Sequence, residues 1–133
     1  MTRYRFSGTF EYLGTNNEPI SQKLIGNMSQ SIDGYHEGRV SYNGNNLPLE
    51  ATFYEDKLLV KLLSDNPKYP KFTATLQRRS DEEFNFEGKG KNLVAIVQEK
   101  IRSESSQEET QVFKGEYQEG TIYLTLTPIT SSS

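Results

Sequence analysis

Cysteine and tryptophan are both absent from this chain, and histidine occurs once, at position 36. Without cysteine there is no disulfide, no thiolate metal site and no cysteine nucleophile, and a reducing, cytoplasmic setting is the expected one. A single imidazole excludes a histidine-rich metal centre and leaves His36 as the one histidine for acid–base work. Long apolar stretches are missing too. The longest, Leu58 to Leu63 around Lys61 and Leu93 to Val97, have strand length and fall far short of the roughly 18 residues of a membrane span.

Nor does one sign of charge dominate, since 15 basic residues face 18 acidic ones for a formal net charge of −3. The bases Lys68, Lys71, Arg78, Arg79, Lys89 and Lys91 are interleaved with acids at Asp81 to Glu83 and Glu104 to Glu109, so no basic stripe of the kind that binds nucleic acid is present. Met1 to Phe6 enters directly on alternating polar and aromatic positions without an apolar core segment, so no secretory leader is expected.

What is there is period-two alternation, which puts successive side chains on opposite faces of a sheet. Tyr4, Phe6, Gly8, Phe10 and Tyr12 share one face. Ile20, Leu24, Met28 and Ile32 continue the pattern after the turn at Gly14 to Pro19, up to Asp33-Gly34. His36, Gly38, Val40 and Tyr42 follow on one face, and Asn43-Gly44 turns the chain into Leu47, Leu49, Ala51 and Phe53. Strands are then expected over Lys57 to Leu63, around Phe72 to Leu76, at Phe84 to Phe86, over Leu93 to Ile101, and around Val112 to Tyr117 and Thr121 to Thr127. The last two are joined by a turn at Gln118-Glu119-Gly120. No sustained helical stripe interrupts them.

Residues 1–130 therefore read as a single all-β domain, an antiparallel meander of about ten strands, with a frayed tail at 131–133. Closure into a barrel is preferred over a two-sheet sandwich because closure removes the exposed edges.

Few residue groupings carry chemistry. No serine sits in a nucleophile elbow, and Asp33 and Asp56 lie in ordinary turns, so a Ser-His-Asp arrangement has no support. Adjacent carboxylates at Asp81 to Glu83 are a solvated turn rather than a pair facing across a cleft, and no segment has the spacing of a calcium loop. Gly88-Lys89-Gly90-Lys91 lacks the spacing and the following helix of a phosphate-binding loop, and reads instead as a place where the sheet bends. No metal and no cofactor are expected.

The aromatic residues say more. The seven phenylalanines and eight tyrosines are concentrated at inward-reading positions such as Tyr4, Phe6, Phe10, Tyr12, Phe53, Phe72, Phe84 and Phe86. A barrel of about ten strands is wide enough to hold a small apolar ligand, with Tyr4, Tyr12, His36 and Tyr42 as its polar contacts. The rival is that these side chains fill a flattened core.

Phe6-Ser7-Gly8-Thr9-Phe10 resembles the opening strand of the calycins, the ligand-binding barrels that include the fatty-acid-binding proteins, and Thr121 to Thr127 resembles their closing strand. The chain departs from that family in having Phe10 where tryptophan is usual and in lacking a helical lid. The resemblance implies a calycin-like barrel.

The leading expectation is a non-enzymatic protein that binds an apolar or amphipathic small molecule. A structural or regulatory interaction module with a filled core is the alternative, and an enzyme or isomerase using His36 and a tyrosine at the barrel mouth comes third. Both faces are apolar in Leu58 to Leu63 and in Leu93 to Val97, with core sets Leu58, Val60, Leu62 and Leu93, Ala95, Val97. Leu59, Leu63, Val94 and Ile96 are thus the candidate interface, for a homodimer or a protein partner.

Overall fold

The computed structural model describes residues 3–66, 68–79, 84–102 and 109–129. They form eight antiparallel strands, β1 (Arg3–Leu13), β2 (Pro19–Ile32), β3 (Tyr35–Tyr42), β4 (Asn45–Tyr54), β5 (Lys57–Leu62), β6 (Phe72–Arg78), β7 (Asn85–Arg102) and β8 (Glu109–Ile129). Each pairs with the next, and β1 closes on β8 to complete a barrel. No helix among the described residues is long and apolar enough to cross a membrane. The expected tail at 131–133 lies outside the described residues.

A closed antiparallel barrel is found as expected, with eight strands rather than about ten. Two expected breaks are continuous strand. Phe84 to Phe86 and Leu93 to Ile101 belong to one element around β7, and the chain runs through Gln118-Glu119-Gly120 without turning, paired with Asn92, Lys91 and Gly90. The glycines there are not turns but spaces. Gly90 and Gly120 face each other across the ladder. A Cβ on Gly90 would lie 2.6 Å from the Phe72 ring, and one on Gly120 2.7 Å from the Phe10 ring. Small residues in the wall make room for large rings inside it.

Those rings and their neighbours fill the waist. Phe10 meets Phe72 edge-on at 5.0 Å, and Leu58, Leu62, Leu76, Ile122 and Val40 are buried around them. The void left among Phe6, Leu24, Met28, Leu49, Ala51, Leu58, Val60, Ile122 and Leu124 is about 10 Å³, at the threshold for one water molecule. The interior thus has the packing of a small barrel whose side chains just fill it.

The expected turns at Asp33-Gly34, Asn43-Gly44 and Glu55-Asp56 are present. Gly34 and the Asn43-Gly44 pair have positive φ, as does Glu55, a residue without glycine's freedom. Pro128 pairs with Tyr4 beyond the last β7–β8 pairing, Asn85 with Thr125, so its missing N–H leaves no gap in that ladder.

Beyond the barrel, β7 and β8 continue without a third strand among the described residues. β6 accompanies β7 only as far as Asn92, and β1 meets β8 only from Thr121, so the residues between form a two-stranded ribbon. A bulge at Val94 shifts its register. Leu93 pairs with Tyr117 while Ala95 pairs with Glu116, which puts Leu93 and Ala95 on opposite faces and breaks the expected set Leu93, Ala95, Val97.

Candidate functional site

In a meander, alternate hairpins and the outer strand ends share one end of the barrel. The turns at Asp33-Gly34 and Glu55-Asp56 and the segment before β7 therefore gather at the end where β1 begins. Three backbone bonds fix this rim: Phe53 N–H to the Gly34 carbonyl at 2.8 Å, Arg78 N–H to the Asp56 carbonyl at 2.8 Å, and Leu126 N–H to the Phe84 carbonyl at 2.9 Å.

His36 stands just inside, on the inward face with Val40 and Tyr42, as alternation requires. It is 3% exposed. Its ring centroid lies 5.1 Å from that of Phe53 and 5.6 Å from that of Tyr4. Tyr4 also meets Phe53 and Phe84, Phe53 meets Phe86, and the Arg78 guanidinium lies 5.6 Å from the Phe86 centroid. Tyr4, Phe53, Arg78, Phe84, Phe86 and Leu126 line an opening of about 210 Å³.

Neither ring nitrogen of His36 has a hydrogen-bond partner among the described residues. Burial lowers its pKa below the ordinary histidine value, and the Gly34 backbone offsets part of that shift. The site is thus an aromatic collar around a neutral, unpaired imidazole, with one guanidinium at its edge. An imidazole in that state can donate one hydrogen bond and accept another.

The four candidate ligand contacts do not share one chamber. Tyr4 and His36 meet at this mouth; Tyr12 and Tyr42 are at the other end, with the filled waist between. There Gln22 Nε2 donates to the Tyr12 hydroxyl at 3.2 Å, while the Tyr42 hydroxyl is buried without a partner among the described residues. Burial, with the neighbouring Tyr12, raises the Tyr42 pKa well above the ordinary tyrosine value.

The candidate interface residues are also dispersed. Leu59 lies on the outer wall opposite Thr52 and Thr75, in a shallow concavity with Tyr35, Glu50, Lys61, Lys89 and Lys91. Tyr35 there has its pKa pushed up to about 12, by burial and then by the carboxylates of Glu50 and Glu37. Leu63 follows β5 and is half-buried. Val94 and Ile96 are exposed on the ribbon, on β7 beyond the Lys89 that neighbours Leu59's surroundings. Leu59 and Ile96 do not form one patch.

Sequence reasoning read Phe53, Phe84 and Phe86 only as inward-facing residues and did not join Arg78 to them. Strand direction was the usable signal, because their places beside hairpins at the Asp33-Gly34 end bring them to His36. The described residues hold no group of three or more His, Cys, Asp and Glu side chains suited to a metal ion. No protein-family model, curated protein or solved structure matches the chain.

Proposed function

We propose that this chain is a non-enzymatic binding protein that takes a small amphipathic molecule at the His36 mouth. The carrying observation is His36 itself, a buried polar ring with no hydrogen-bond partner among the described residues, packed against Tyr4 and Phe53, which line the opening. A buried polar group left unpaired costs about 1–3 kcal/mol, so an occupant that hydrogen-bonds it recovers part of that cost.

The walls suit an apolar or planar body, and Arg78 suits a carboxylate at the rim. At about 210 Å³ the opening is smaller than an ordinary ligand pocket of roughly 300–1,000 Å³. An occupant is therefore small or leaves part of itself in solvent. The occupant is placed at the mouth rather than at the waist, where the void is about 10 Å³. A cytoplasmic setting belongs to the same proposal.

His36 is the one histidine, so its imidazole NMR signals are unambiguous. Titration with benzoate and with octanoate should shift them saturably, and Arg78→Ala should weaken the response. Signals that stay fixed in both titrations would overturn the reading.

A second reading, an interaction module with a filled core, is favoured by a separate observation, the apolar side chains exposed on the β7–β8 ribbon. Catalysis by His36 and a tyrosine has less support. Tyr4 meets the imidazole ring to ring, and no described residue orients either nitrogen.

A further inference from the structure

Along the ribbon, the side of β8 away from β7 has a sequence complementary to itself. β8 is flanked by β1 only from Thr121 onward, so from Glu109 to Gly120 the side of β8 away from β7 has no strand partner among the described residues. Leu126 N–H donates toward the β7 side, to the Phe84 carbonyl. Alternation along an unbroken β8 then turns the backbone groups of Phe113, Gly115 and Tyr117 toward that side. The Phe113 carbonyl accepts from the Tyr69 hydroxyl at 2.8 Å, which agrees with its lying outside the β7 ladder. Its second lone pair stays available to a strand.

We propose that two copies of this chain pair antiparallel along this edge of β8, about a twofold axis at Gly115. That register sets Gly115 against its counterpart and Phe113 against the second copy's Tyr117, each as a hydrogen-bonded pair. Between them Lys114 faces the second copy's Glu116 in the closer, non-hydrogen-bonded position, so opposite charges meet on both sides of the axis. Val112 meets Gln118. The aromatic members are otherwise exposed, Phe113 by 55% and Tyr117 by 37%.

Glycine at the centre has a local reason. A Cβ on Gly115 would lie 2.9 Å from the Tyr117 ring, which lies over that position. Ile96, opposite Gly115 on β7, is on the same face as both aromatics, so pairing makes one continuous apolar surface from two interrupted ones. A second copy fits this edge better than an unrelated strand because charge and aromatic order both match under the twofold. A two-stranded ribbon alone in water is marginal, and two more strands remedy that. The closed twofold also prevents further growth of the sheet.

Sedimentation equilibrium of the full chain tests this. Wild type should be a dimer, Lys114→Glu should weaken it by about tenfold or more by setting like charges opposite each other, and Lys114→Glu with Glu116→Lys should restore it. Circular dichroism should show all three equally folded, since both side chains are exposed. A wild type that is monomeric at its highest soluble concentration overturns the dimer. A dimer indifferent to Lys114→Glu, or not restored by the exchange, overturns this register.

Discussion

The imidazole of His36 and the ring of Phe53 meet nearly edge to face, at 76° with centroids 5.1 Å apart. Phe53 takes its place from the hairpin beneath it, where its own N–H bonds the Gly34 carbonyl. The contact packs the ring, but neither nitrogen has a hydrogen-bond partner among the described residues. Replacing His36 by phenylalanine should therefore stabilise the fold, by about 1 kcal/mol, because it removes a polar group that has no partner among the described residues, while the somewhat larger ring keeps the aromatic contacts. Urea unfolding should show a higher midpoint with an unchanged slope, and a lower midpoint contradicts the account.

Acidification should act through the same ring. The folded-state pKa of His36 lies below the ordinary value near 6.5, so the unfolded chain binds the proton first as pH falls. The contribution of neutral His36 is complete above that value and is lost progressively below it, down to the folded-state pKa. Thermal unfolding between pH 8 and pH 5 should show a decline for wild type that His36→Phe makes shallower. Parallel profiles for the two proteins would exclude His36 as a source of the decline.

At the other end, Tyr42→Phe should be close to neutral, or stabilising by up to about 1 kcal/mol, since it deletes a buried hydroxyl that has no partner among the described residues. The raised pKa has a further consequence of opposite direction to that of His36. Unfolded tyrosine ionises near 10 while folded Tyr42 resists it, so stability should fall above pH 10 in wild type and fall less in Tyr42→Phe. Alkaline thermal scans of the two proteins decide this.

Glu55 occupies the left-handed region at φ 57° in the β4–β5 turn, a conformation that asparagine and glycine adopt more readily. Glu55→Asn should raise stability by about 0.5–1 kcal/mol in a denaturant titration. No change, or a loss, would mean that the glutamate side chain supports the turn.

Much of the wall could be read directly. The inward positions of Tyr4, Phe10, His36, Val40 and Tyr42 follow from parity, because a strand's faces alternate whatever it pairs with. The turns at Asp33-Gly34 and Asn43-Gly44 follow from local backbone chemistry. The count of strands did not, since Gly88 to Gly90 and Gln118 to Gly120 look like breaks until the Phe72 and Phe10 rings are seen filling the space above Gly90 and Gly120. The bulge at Val94 escaped for a similar reason. It depends on how β7 is paired with β8, and pairing is not a property of either strand alone.

By itself, then, the sequence determined the alternation, the hairpins, the all-β class and the inward face of His36, all of which arise between residues close in the chain. Only the tertiary structure decided that eight strands close around a filled waist and that Tyr4 and His36 stand at one mouth while Tyr12 and Tyr42 stand at the other. It also decided that Arg78, Phe84 and Phe86 join the first pair, and that β8 around Gly115 pairs with β7 and with no other described strand. Those relationships join residues tens of positions apart, and their geometry is set by closure and strand register, which no short stretch of sequence contains.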